Sequence, residues 1–135
     1  MEIPPKAPTA KGPAERFTGD VYIDGVVRGE EPSRVRVIAV HFAPSARTAW
    51  HRHAVGKTLY VTEGQGVVQS RGGEVAEIRP GDVVHTPADE WHWHGAGPDH
   101  FMTHLSITEA PTDARDEVEW GEQVTDAEYS GMAPT

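Results

Sequence analysis

Eight histidines stand at positions 41, 51, 53, 85, 92, 94, 100 and 104, and four of them form two closely spaced pairs, His51 with His53 and His92 with His94. On an extended strand a separation of two residues puts both rings on one face. Strands that turn such pairs towards a common interior can bring neutral imidazoles to one ion, at nitrogen–metal distances of about 2.0 to 2.2 Å. The chain has no cysteine, which excludes a disulfide framework, a thiolate zinc site, an iron–sulfur cluster and a cysteine nucleophile. Any metal must therefore be held by imidazole and oxygen. A single histidine in a small acidic protein is more often a surface or satisfied polar group, and His41, His85 and His100 are read that way. For His51, His53 and His92 the paired pattern reverses that preference.

The elements that must position these rings are short strands. β-rich runs at 17–23, 34–42, 48–53, 57–62, 66–70, 75–78, 82–86, 91–95 and 101–108 alternate with turn signals, the pattern of a sandwich or barrel. Arg71-Gly72-Gly73-Glu74 reads as a hairpin turn, and Arg79-Pro80-Gly81-Asp82 has the residue order of a type II turn. Thr112 to Asp116 reads as an exposed loop, and Thr125 as the cap of one short helical turn. Along 101–107 alternation places Met102, His104 and Ser106 on one face, as a cavity wall would. With the histidines, the expected pocket walls are Thr48, Leu59, Val61, Met102 and Ser106, a mostly apolar set suited to a small aromatic or aliphatic molecule. Trp50, Trp91 and Trp93 fall out of phase with the histidines and are assigned to the outer face or a subunit contact.

Composition bounds the rest. The 135 residues make about one domain, with 14 Gly, 11 Pro and 37% hydrophobic residues, a balance of strands and turns over long helices. A formal charge of -9 argues against nucleic acid and anionic membranes as partners. No apolar stretch approaches the roughly 20 residues that span a bilayer, and the N-terminus lacks the apolar core of a secretory signal, so a soluble, cytoplasmic protein is expected. Residues 1–16 read as an arm, disordered or packed on a neighbour, able to cover an edge strand. Residues 17–135 read as a single domain.

His51-Arg52-His53, followed by Lys57 and Gly64, resembles the first cupin motif, H-x-H, three or four residues, Glu, six residues, Gly. Gly81 to Pro87, followed by His92, resembles the second. More narrowly, Ala46 to His53, Glu90 to Gly95, Met102 to Leu105 and Val124 to Tyr129 are similar to small bacterial cupins that include manganese-dependent hydroxynitrile lyases. The resemblance implies an all-β cupin barrel (a double-stranded β-helix of jelly-roll type) with a short C-terminal helical turn, assembled as a homodimer or homotetramer. It also implies one divalent ion per chain on His51, His53 and His92, Mn2+ favoured, with Fe2+, Zn2+, Ni2+ or Cu2+ as alternatives. His104 and His94 match the candidate acid and base of the lyase-type members.

Position 57 departs from the pattern, because the general motif has Glu there and the lyase-type members have Gln. An ammonium has no lone pair and is repelled by a divalent cation, so Lys57 either swings away, ligates as a neutral amine, or weakens the site. It is also a candidate for catalysis, binding an anion or exchanging protons, against the alternative of a snorkelling side chain at the barrel mouth. Three imidazoles with open positions suit a Lewis acid, and the expected activity is lyase cleavage of a small hydroxy or carbonyl substrate. Metal-dependent oxygen chemistry, a cyclase or isomerase, and a non-catalytic small-ligand binder are the alternatives.

Overall fold

Alternation of apolar residues along the longest strands builds one wall of a barrel. In a computed structural model, which describes residues 1–131, Val35–Phe42 (β4), Lys57–Gly64 (β7) and Met102–Glu109 (β12) lie side by side. Val40, Phe42, Leu59, Val61, Met102, His104 and Ser106 turn inward and are buried. Ala10–Lys11 (β1), Val21–Arg28 (β3) and Val83–Thr86 (β10) complete this sheet in the order β1-β3-β4-β12-β7-β10.

The facing sheet carries the paired histidines. It runs β13-β6-β11-β5-β2 through Val118–Trp120 (β13), His51–His53 (β6), His92–Ala96 (β11), Arg47–Thr48 (β5) and Phe17–Thr18 (β2). Gly66–Ser70 (β8) pairs with β11 and with Ala76–Ile78 (β9). Gly95 has a structural reason to lack a side chain, since a Cβ there would lie 2.6 Å from the Ala46 carbonyl oxygen and would push β5 away from β11. The expected type II turn is present, with Gly81 at φ 92° and the Asp82 amide bonded to the Arg79 carbonyl.

Outside the second sheet, Trp50, Trp93 and Val124 form a separate buried cluster against Trp91 and Tyr129, so the tryptophans take the outer phase expected of them. The C-terminal segment lies over this cluster. Buried Arg47 holds it by donating to the Val124 carbonyl at 3.2 and 2.9 Å and to Asp126 at 2.8 Å. Asp126–Tyr129 (α1) begins in a capping box, with Thr125 accepting from the Glu128 amide and Glu128 from the Thr125 amide.

The strands within the N-terminal arm and at 118–120 were not foreseen, although the arm was expected to cover an edge strand. Ala10–Lys11 pairs with β3 of its own chain, covering that edge in cis, and β13 pairs with β6. The last four residues of the expected 17–135 domain lie outside the described residues.

Candidate metal centre and its cavity

His51 and His92 meet because β6 and β11 pair in a register that sets them directly opposite each other. His53, two residues along β6, adds the third ring. The three residues are buried and each offers a nitrogen within 4.8 Å of the others'. Their hydrogen bonds fix which nitrogen is free. Nδ1 of His51 donates to the Ala49 carbonyl and Nδ1 of His92 to the Glu90 carbonyl, both at 2.9 Å. A proton on Nδ1 leaves the Nε2 lone pair available, the tautomer that metal-ligating imidazoles adopt.

Among the described residues, Nε2 of His92 and both ring nitrogens of His53 are buried without a partner. Buried polar atoms are nearly always satisfied, so these orphans fit an ion at the centre of the triad. Burial, more than the charge of Lys57, depresses all three imidazoles: His53 to about 2, His92 to about 4, and His51 well below the ordinary value. Neutral rings are the form that binds metal.

Beside the triad runs a chain of nitrogen groups. Lys57 opens β7 in phase with Leu59 and Val61, so its side chain enters the barrel. Its Nζ lies 2.5 Å from Nε2 of His94, whose Nδ1 lies 3.0 Å from Nε2 of His104. Burial pushes the Lys57 amine down to about 7 and, with the charge of Lys57 second, holds His94 and His104 well below the ordinary imidazole value. Lys57 therefore does not snorkel out of the barrel; it is only 5% exposed.

A cavity of about 220 Å³ adjoins these groups, lined by Thr48, His51, His53, Lys57, His94 and Ser106, with Phe17, Ile23, Ile38, Val40, Val118 and Trp120 as apolar walls and Pro13 and Arg16 at the rim. Among the described residues no Asp or Glu lines it. Of the expected pocket residues, Thr48 and Ser106 line this cavity, and Leu59, Val61 and Met102 lie elsewhere. Leu59 faces a second space of about 60 Å³ shared with His92 and His94. Val61 and Met102 are fully buried in the core and are not among the cavity walls. Phe42 shares that core cluster, and its ring stands 5.7 Å from His94 and 5.4 Å from His104. His104, too, lies outside the cavity and reaches it through His94.

Residues 38–105 match the family model of the cupin domain. The chain belongs to the cupin family. This cupin is 50% identical over 121 residues to an (R)-mandelonitrile lyase from Granulicella tundricola, an alignment covering 90% of this chain and 91% of that protein. It is 35% identical to a cupin-like protein from Thermotoga maritima of known crystal structure, with a TM-score of 0.84 over the full length of both chains. The polyketide cyclase RemF from Streptomyces resistomycificus shares the fold, with a TM-score of 0.66 over 87% of this chain and 89% of that one, at 18% identity.

Several cavity residues of this cupin escape a reading of the sequence alone. Trp120 stacks on His51 with ring centroids 4.7 Å apart, and the Arg16 guanidinium lies over the same Trp120 ring, 5.3 Å from its centroid. The Val118-Glu119-Trp120 alternation was the available signal. Of the three histidines read as incidental, His85 and His100 are exposed, and His41 is satisfied by Asp24 at 2.9 Å and Thr103 at 3.0 Å.

Proposed function

We propose that this cupin is a metal-dependent lyase that splits a small cyanohydrin into an aldehyde and hydrogen cyanide. The observation that carries the reading is the open His51, His53 and His92 triad beside His94 in a small apolar cavity. The 50% identity to a mandelonitrile lyase supports it. A divalent ion on the triad, Mn2+ favoured, would supply Lewis acidity towards a hydroxyl or carbonyl oxygen.

The residues of this chain do the rest. Apolar walls at Ile38, Val40, Phe17 and Trp120 bind the carbon skeleton and exclude water. Burial keeps His94 neutral, and because its Nε2 is held by Lys57, the hydroxyl proton reaches that nitrogen through the uncharged amine, which takes the proton on Nζ as one of its own N–H protons passes to Nε2. His104 and Lys57, one on each nitrogen of that ring, orient it and set which nitrogen carries the proton. The proposal extends to a cytoplasmic protein that acts on a small molecule as a homodimer or homotetramer.

The test is benzaldehyde and cyanide release from mandelonitrile by the Mn2+-supplied protein. Release above His94→Ala, His104→Ala and His53→Ala variants is expected. A wild-type rate equal to that of buffer with Mn2+ would end the lyase reading.

A further inference from the structure

We propose that Lys57 is a nucleophilic amine that captures small aldehydes as an imine at its Nζ. The chain has three lysines, at positions 6, 11 and 57. Lys6 and Lys11 are exposed, and Lys11 is paired with Asp20. Lys57 is buried in the wall of a cavity into which none of the described residues places a carboxylate, and among the described residues its one polar contact is the Nε2 of His94. A desolvated lysine without a counter-ion has the environment in which amines act as nucleophiles on carbonyls. The downward push on its pKa, to about 7, agrees with that placement.

The chemistry balances without an oxidant or reductant. An uncharged Nζ donates one N–H to His94 and keeps its lone pair for the cavity. That pair forms a bond to the carbonyl carbon while the C=O π pair moves to oxygen, and a proton passes from nitrogen to that oxygen to give a carbinolamine. The hydroxyl then leaves with the second N–H proton as water, and a C=N bond remains. One amine and one aldehyde yield one imine and one water. Phe17, Ile38 and Val40 provide apolar walls for the carbon skeleton. The choice of an aromatic aldehyde rests on the lyase reading, in which that molecule is the product left in the cavity.

The experiment treats the full-length protein with benzaldehyde and sodium borohydride, which delivers hydride to an imine carbon, and maps the product by intact-mass and peptide mass spectrometry. The expected result is a single benzyl increment on the peptide containing Lys57, about tenfold or more above Lys6 and Lys11 at limiting aldehyde. Lys57→Met removes it, and the wild-type map decides the matter even if that variant does not fold. Modification spread over Lys6, Lys11 and the α-amino group with Lys57 untouched would overturn the proposal. The trap needs neither metal nor cyanohydrin: an adduct without cyanohydrin cleavage sinks only the lyase reading, and cleavage without an adduct sinks only the imine.

Discussion

Replacing His94 with alanine should lower kcat on mandelonitrile by about 10²–10³, while bound metal, measured by elemental analysis, stays near the wild-type level. His94 touches the cavity and both of its nitrogen partners but is absent from the ligand triad. The buried bases also set how stability responds to pH. Unfolded imidazoles bind protons near pH 6.5, whereas burial holds His92 to about 4 and His53 to about 2. Stability present above pH 6.5 is therefore lost as pH falls through 6.5 towards 4. Lys57 acts on the alkaline side: held to about 7 against an ordinary 10.5, its burial is most unfavourable below pH 7 and becomes easier as pH rises towards 10.5. Thermal melts of metal-free protein should show Tm rising from pH 5 to 7, and Lys57→Met should flatten any further rise from pH 8 to 10. The paired histidines were visible in the sequence because their spacing is local. The contact between Lys57 and His94 was not, because it joins strands from opposite sheets.

One short strand, β13, and the segment carrying Pro13 and Arg16 close the cavity, and β13 depends on β6, far away in the chain. Trp120 on β13 lies opposite His51 and stacks on it, so Trp120→Ala should destabilise the protein by about 2 kcal/mol, less than full burial would give because Trp120 is only half-buried. It should also weaken metal binding by roughly tenfold, as loss of a group that orients a ligand does, and competition with a chelator would read that change. Deleting residues 1–16 removes Pro13 and Arg16 from the rim and should raise KM more than it lowers kcat; an unchanged KM would separate the rim from substrate binding. A two-residue strand leaves no period to detect, so β1 was missed, and in β13 the only signal was a single alternation, Val118-Glu119-Trp120. The long inward-alternating strands and the Thr125 cap follow from local pattern, and these were read correctly.

For the whole molecule, the barrel was legible through the two motifs flanking His51 and His92, while the shape of its interior was not. Phe42 packs against His94 and His104 from a different strand, and these neighbours come together only on folding. The outer face of the six-stranded sheet leaves Tyr22 and Tyr60 more than two-fifths exposed, at 44% and 42%, with Leu105 and Ile107 half-buried beside them. If a second copy covers this face, wild-type protein will sediment as a dimer or tetramer and Tyr60→Glu will sediment as a smaller species. A wild-type monomer would remove assembly from the proposal. The most direct test of the central claim, that His51, His53 and His92 hold the catalytic ion, is the metal content of the whole protein after Mn2+ loading and desalting. The account predicts one ion per chain, with His53→Ala nearly metal-free; equal metal in both, or none in the wild type, would contradict it.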